Sequence, residues 1–201
     1  MDTAVSLVQS YLYMNGFFTV TEYPVLEFMD TENPRTLTDV DVLAVRFPGA
    51  GSISVNGTTG GFEVVPDPVL APSDRTIDVI IGEVKEGAAD LNRAARDPLV
   101  LRAAIGRVGK IKPDVADLLV RELIETGNAM HPGGIRLRLM VFASKAPTEP
   151  NPRYTWCSLG HIMEWMTTQL RNNWEIVKSV QSNDPALSFM LLHEKALRGE
   201  E

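Results

Sequence analysis

The spacing of apolar residues predicts a helix at the start of the chain and three strands after it. Apolar positions in residues 3–15 recur every three or four residues, which indicates a helix that ends at Gly16. Residues 17–28 are rich in β-branched and aromatic residues, which favours a strand. Residues 39–47 and 77–85 are short apolar runs of the kind found in buried strands.

The segments between these strands are polar or rich in glycine and proline. Residues 30–38 are polar with one proline, which predicts a loop. Residues 48–76 are dense in glycine and proline, and Asn56-Gly57 is typical of a tight hairpin turn. We interpret residues 48–76 as an insertion within one domain rather than as a linker between two.

The second half of the chain alternates between helical periodicity and one apolar strand. Prolines at the start of the first two predicted helices suit the first helical position. The predicted elements are helices over residues 98–108 and 113–127, a strand over 135–143, a loop over 144–153, and helices over 158–179 and 185–198.

The predicted order is helix, three strands, two helices, one strand and two helices. This order fits an α/β (α+β) fold, in which a mixed central sheet is flanked by helices. A chain of 201 residues is long enough for one domain. We therefore expect a single domain over residues 1–201, with its core over about 3–143, an insertion over about 48–76 and a C-terminal helical extension over about 158–198.

Composition narrows the class of protein. Apolar residues make up 44% of the chain and charged residues 22%, which is ordinary for a globular protein and excludes a disordered one. The chain has no apolar run near 18 residues and no basic leader, so we expect a cytoplasmic protein that does not contact membranes. Cys157 is the only cysteine, which excludes an internal disulfide and a zinc site made of cysteines.

Charge is distributed unevenly along the chain, whose net charge is −7. The first 91 residues carry a net charge of −10, and residues 92–153 carry a net charge of +5. One interpretation is a solvated surface with uneven charge, and the other is an acidic site beside a surface that faces phosphates. On the second interpretation, the nucleic-acid contacts would come from the arginines that follow the strand over 77–85. They are Arg93, Arg96, Arg102 and Arg107.

The strand over residues 77–85 carries two ionisable groups on one face of its C-terminal end. Side chains alternate across a strand, so Glu83 and Lys85 share a face with apolar residues. Asp41 lies on the strand over 39–47, and it converges with Glu83 if the two strands are neighbours. Two close carboxylates ionise together only when a cation lies between them, and oxygen ligands suit Mg²⁺ or Mn²⁺. Such a metal polarises a phosphoryl oxygen and activates water.

These residues resemble the motif of one nuclease superfamily. Asp41-Val42-Leu43, followed by Gly82-Glu83-Val84-Lys85 at the end of the next core strand, is similar to the pattern of the PD-(D/E)XK nuclease superfamily. The predicted order over residues 3–143 also resembles that superfamily's restriction-endonuclease-like core, αβββαβ.

The resemblance implies a metal-dependent nuclease that hydrolyses the phosphodiester bonds of nucleic acid, with DNA as the expected substrate. It implies that Asp41 and Glu83 bind Mg²⁺ or Mn²⁺ and that Lys85 assists the attacking water. Many members add a glutamate on the first helix. Here residues 3–15 contain no acid and offer only Gln9, so Glu22 or Glu27 could supply the third ligand.

Three alternatives stay open. Asp41, Glu83 and Lys85 could be surface charges at strand ends, with Lys85 pairing Glu83. The chain could be a catalytically inactive nuclease-fold scaffold that binds a protein or nucleic-acid partner. It could also be a subunit that acts only within a larger assembly.

The C-terminal helices are expected to form the core against the sheet; the alternative is that one face of them forms a homodimer contact. The other polar residues are expected to be structural or solvent-facing. Asp78 lies on the face opposite Glu83, and Arg136 and Arg138 are interpreted as solvent-facing. The loop after Lys85, with Asn92, is interpreted as solvated. The histidines are isolated and show no ligand spacing. They are His131, His161 and His193.

Overall fold

The computed structural model describes residues 2–28, 34–53, 62–63, 65–150 and 152–199. The first half of the chain contains α1 (Thr3–Met14), β1 (Phe18–Phe28), β2 (Pro34–Arg46), β3 (Ser52–Ile53), β4 (Phe62–Glu63) and β5 (Ile77–Ala88). The second half contains α2 (Pro98–Val108), α3 (Pro113–Thr126), β6 (Asn128–His131), β7 (Ile135–Lys145), β8 (Thr155–Ser158), α4 (Leu159–Asn172), α5 (Trp174–Val177) and α6 (Pro185–Arg198). The predicted turn at Asn56-Gly57 lies outside the described residues.

Six strands form one mixed sheet in the order β1-β2-β5-β7-β6, and β8 pairs with β7 beside β6. The β1–β2, β2–β5 and β6–β7 pairs are antiparallel, whereas β5–β7 and β7–β8 are parallel. The parallel pair β5–β7 needs a crossover, and α2 and α3 supply it. The predicted fold class, a mixed central sheet flanked by helices, is therefore confirmed.

The helices cover the two faces of the sheet with two separate apolar clusters. One cluster packs α1, α4, α5 and α6 against one face, and its buried centre includes Leu12, Ile80 and Phe142. The other cluster packs α2 and α3 against the opposite face, around Ile81 and Leu139. We call these the α1 face and the α2 face. Strand β5 contributes buried residues to both faces, which explains its nearly continuous apolar sequence.

Strand β2 begins earlier than predicted. Residues 34–38, which their polar sequence predicts as part of a loop, extend β2 and pair with the second half of β1. The Arg35 guanidinium bonds the Glu27 carboxylate at 2.8 Å across this pair, and this contact stabilises the hairpin. Strand β5 pairs only with the last part of β2, from Val42 to Arg46.

Two short strands and one helix break also differ from the prediction. Residues 128–131 form β6 in a hairpin with β7, and residues 155–158 form β8 along the other half of the same edge. Both are four residues long, too short to show a clear apolar alternation. The helix predicted over 158–179 divides at Asn173 into α4 and α5.

The prediction that Arg136 and Arg138 face solvent is wrong. Both guanidinium groups bind the carboxylate of Asp78, which is fully buried, at 2.6 Å and 2.9 Å. The alternation along β7 placed these arginines on one face correctly, but the face is covered, and Asp78 on β5 neutralises their charge. The structural role predicted for Asp78 is confirmed.

The C-terminal helices pack on the sheet as expected and leave apolar side chains exposed on α6, among them Phe189 and Leu192. The homodimer predicted through these helices stays a prediction.

Among the described residues, no helix is long and apolar enough to cross a membrane.

Candidate functional site

The register of β2 and β5 brings Asp41 next to Glu83. The last paired residues of this antiparallel ladder are Val42 and Gly82, and Asp41 and Glu83 each lie one residue beyond them. Directly opposed residues of an antiparallel pair point to the same face of the sheet. Asp41 and Glu83 therefore continue the α2 face, at the point where the ladder ends and the two strands separate.

Asp41 extends the ladder with its side chain. Its Oδ2 atom accepts a hydrogen bond from the backbone N–H of Val84 at 2.8 Å, where a strand carbonyl would otherwise accept. This bond fixes the direction of the carboxylate. The other oxygen, Oδ1, has no hydrogen-bond partner among the described residues.

Glu83 is held by one oxygen. The Asn92 side-chain amide donates to Oε1 at 2.6 Å, and the Lys85 ammonium lies 3.5 Å from the same atom. The second oxygen, Oε2, has no hydrogen-bond partner in the part of the chain that the structure describes. The site thus presents one oriented oxygen from Asp41 and one from Glu83, with the Lys85 ammonium beside them.

The electrostatics of the site favour a cation. Burial raises the pKa of Asp41 and of Glu83, and the charge of Asp41 raises the pKa of Glu83 further. Lys85 opposes both shifts but does not cancel them. A divalent cation between the two carboxylates would offset both the desolvation and the repulsion. Among the described residues, no group of three or more His, Cys, Asp or Glu could hold a metal ion, so water or substrate would complete the coordination.

We expect Asp41→Asn to raise the melting temperature at pH 7 by about 2 °C, which corresponds to under 1 kcal/mol for a chain of this length. Asn keeps an acceptor for Val84 but removes the charge. A carboxyl whose pKa is raised by folding binds its proton more tightly in the folded state, so stability falls as pH rises through its ordinary and folded pKa values.

The gain should therefore be present at pH 7 and vanish near pH 3, where Asp41 is protonated in both states. Thermal unfolding at both pH values measures it. Glu125→Gln, which changes an exposed acid on α3, is the control. An equal gain at both pH values would contradict the assignment of the effect to the Asp41 charge.

The two candidates for a third ligand have different positions. Glu27 pairs with Arg35, at the far end of the β1–β2 hairpin, and is not brought to the site. Glu22 lies on β1 opposite Asp41 of β2, between the paired residues Thr21 and Tyr23. Its backbone φ of 51° is rare for a residue other than glycine.

The first helix does bring an acid near the site, although not from the positions considered in the sequence. Asp2 caps α1 by accepting from the backbone N–H of Ala4 at 2.9 Å, and its charge contributes to the raised pKa of Asp41. Gln9 has a buried side-chain oxygen that finds no hydrogen-bond partner in the described part of the chain, and it lines a pocket with Asp184, near the start of α6. Asp2 precedes the predicted helix over residues 3–15, so it is not among the candidates that the sequence offers.

Among the described residues, two of the four candidate arginines have a carboxylate within ion-pair distance and the other two do not. Arg102 pairs with Asp117 of α3, and Arg96 lies 3.9 Å from Glu149 and stacks over the ring of Tyr154. Arg93 and Arg107 are exposed, and no carboxylate lies within ion-pair distance of either among the described residues. Arg93 directly follows Asn92, so it is the candidate that the structure places closest along the chain to a site residue.

Asp67, Tyr11 and His161 form a buried polar cluster in the α1 face. The Asp67 carboxylate accepts from the Tyr11 hydroxyl at 2.8 Å and lies 2.6 Å from Nε2 of His161. His161 is therefore hydrogen-bonded within the fold. The cluster joins α1, α4 and the segment before β5.

Cys157 is not a nucleophile in this environment. The side chain is buried, and burial raises the pKa of its thiol to about 12. Because the thiolate is the reactive form, we expect native protein at pH 8 to react with iodoacetamide far more slowly than protein unfolded in guanidinium. Mass spectrometry of the alkylated protein checks this, and equal labelling rates in the two states would contradict the buried, protonated thiol.

Comparisons of this chain with protein-family models, with curated proteins and with solved structures find no match.

Proposed function

We propose that this protein hydrolyses phosphodiester bonds of nucleic acid in a reaction that depends on Mg²⁺ or Mn²⁺, and that DNA is the substrate. The observation that carries the proposal is the position of Asp41 and Glu83 one residue beyond the last β2–β5 pair, with Lys85 beside them. The two free carboxylate oxygens are hard ligands of the kind that these cations prefer.

Each residue has a distinct role in the proposed reaction. Asp41 and Glu83 would hold the metal, which polarises the phosphoryl oxygen and lowers the pKa of bound water. The Lys85 side chain is 27% exposed and its ammonium lies beside Glu83, so it can orient the attacking water or neutralise charge on the phosphate. The backbone bond from Val84 fixes Asp41 before the substrate binds.

The arrangement of elements around the site supports the proposal. The chain runs through α1, β1, β2 and β5, crosses through α2 and α3, and returns as β7 parallel to β5. This is the order that the resemblance to the PD-(D/E)XK superfamily implies. The exposed Arg93 and Arg107 supply positive charge on the segment after β5, where phosphates would approach.

The test is cleavage of supercoiled plasmid, single-stranded DNA and RNA by purified protein with Mg²⁺ or with Mn²⁺. We expect cleavage of DNA that needs the metal, stops with EDTA and is lost in Glu83→Gln. Cleavage that persists in Glu83→Gln, or no cleavage of any substrate by the wild type, would contradict the proposal.

A non-catalytic nuclease-fold scaffold is the second candidate. It is favoured by the contacts of Glu83, because Lys85 and Asn92 both partner one of its oxygens. A scaffold should show no thermal shift with Mg²⁺ or Mn²⁺ that depends on Asp41. A ligand that binds only the folded state raises the melting temperature, so a metal-dependent shift removed by Asp41→Asn would exclude this candidate.

A further inference from the structure

Among the described residues, Asn92 is the one that bonds both the candidate site and the segment that carries the arginines. Its amide nitrogen Nδ2 donates to Oε1 of Glu83 at 2.6 Å, and its carbonyl Oδ1 accepts from the backbone N–H of Ala95 at 2.7 Å. The second bond joins Asn92 to the short helical turn over Ala94–Arg96. Both ends of one side-chain amide are therefore used, which leaves Asn92 a single orientation.

The segment that contains Asn92 is fastened to the rest of the fold. The Asp90 carboxylate accepts from the backbone N–H and the hydroxyl of Thr148 at 2.9 Å and 2.8 Å. The Tyr154 hydroxyl donates to the carbonyl of Ala89 at 2.6 Å, and the Arg96 guanidinium stacks over the Tyr154 ring. These contacts hold residues 89–96 against the rest of the fold, so the segment can keep a side chain in a fixed position.

We infer that Asn92 is a positioning residue, which holds Glu83 in the orientation that binds the metal and couples it to the segment that meets the nucleic acid. This inference rests on the proposed function. By engaging Oε1, Asn92 leaves Oε2 available to a ligand. Without it, Glu83 could rotate toward Lys85 and pair with the ammonium through both oxygens.

The physical precedent is general. Groups that hydrogen-bond a metal-binding side chain fix its rotamer, and their removal costs about 10-fold to 100-fold in metal affinity or activity. Lys85 cannot replace Asn92 in this role, because its flexible chain and 3.5 Å contact fix no direction. Asn92 has a planar amide that is already fixed by Ala95.

Two substitutions separate positioning of Glu83 from folding of the segment. In Asn92→Ser, the shorter hydroxyl can still accept from Ala95, as serine does at such turns, but it is too short to reach Glu83. Asn92→Ala loses both bonds. Asn172→Ser, an exposed asparagine at the end of α4, is the matched control.

The experiment is calorimetric titration of Mn²⁺ into wild type and these variants without nucleic acid. We expect Asn92→Ser to weaken Mn²⁺ binding about 10-fold, as Asn92→Ala does, with Asn172→Ser unchanged. Cleavage of plasmid DNA at saturating Mn²⁺ gives a second readout, in which we expect Asn92→Ser to lower kcat more than it raises KM.

The outcomes distinguish this inference from the proposed function. Mn²⁺ binding by wild type that is unchanged in Asn92→Ser would overturn the role of Asn92 and leave the metal site standing. Binding weakened in Asn92→Ala but not in Asn92→Ser would assign Asn92 to the helical turn alone. A wild type that binds no Mn²⁺ would overturn the proposed function, and the inference with it.

Discussion

Lys85→Ala is expected to lower the rate of metal-dependent DNA cleavage by about 10²-fold to 10⁴-fold, the range typical of a lost general acid–base or charge-stabilising group. Lys85 is the only ammonium within ion-pair distance of Glu83 among the described residues, and it lies at the end of β5 beside both carboxylates. Its removal leaves the two metal-binding oxygens in place. Mn²⁺ binding should therefore survive, and only the chemical step should slow.

The measurement is the single-turnover rate of plasmid nicking at saturating Mg²⁺ and saturating protein. Lys178→Ala is the matched control, because Lys178 pairs with Glu175 beside α5, on the other face of the sheet. We expect its rate to equal that of the wild type. A Lys85→Ala variant that nicks DNA as fast as the wild type would mean that cleavage arises at another site or from a contaminant.

Asp78→Ala is expected to lower the free energy of unfolding by about 3–5 kcal/mol, the usual cost of leaving buried charges without their partner. Asp78 is fully buried and binds Arg136 and Arg138 at once. Burial lowers the pKa of Arg138, and the Asp78 charge opposes that shift. Without Asp78, two close guanidinium groups would repel each other, with Arg138 only 4% exposed.

For a chain of this length, the loss corresponds to a fall of about 6–20 °C in melting temperature. Asp74→Ala is the control, because Asp74 also pairs with an arginine, Arg46, but is 80% exposed. Arg46 keeps hydrogen bonds to the carbonyls of Asn15, Ser73 and Ala50, so we expect a change below about 1 kcal/mol. Equal losses in Asp78→Ala and Asp74→Ala would contradict the buried cluster.

The sequence predicted those parts of the fold whose signal is local. The apolar run over residues 77–85 predicts β5, which in the structure ends three residues later, at Ala88. The alternation along it placed Glu83 and Lys85 on one face, and Asp78 on the other. The fold class also followed, because the order of helices and strands constrains how a sheet can be covered.

The features that sequence analysis missed depend on contacts between distant segments. Asn92 looks like any loop residue, and only the fold brings its amide to Glu83. An asparagine two residues before a helical turn is a signal for the Ala95 bond, but not for the Glu83 bond. Arg136 and Arg138 have the alternation of a half-exposed strand, and only the fold brings both to the buried carboxylate of Asp78, about 60 residues earlier.

The most direct measurement of the central claim is X-ray diffraction at the manganese edge, from crystals of the protein grown with Mn²⁺ and a short DNA duplex. The account predicts an anomalous difference peak between Oδ1 of Asp41 and Oε2 of Glu83, with a backbone phosphate of the DNA beside Lys85. A peak elsewhere in the molecule, or none at this place with Mn²⁺ at saturating concentration, would contradict it.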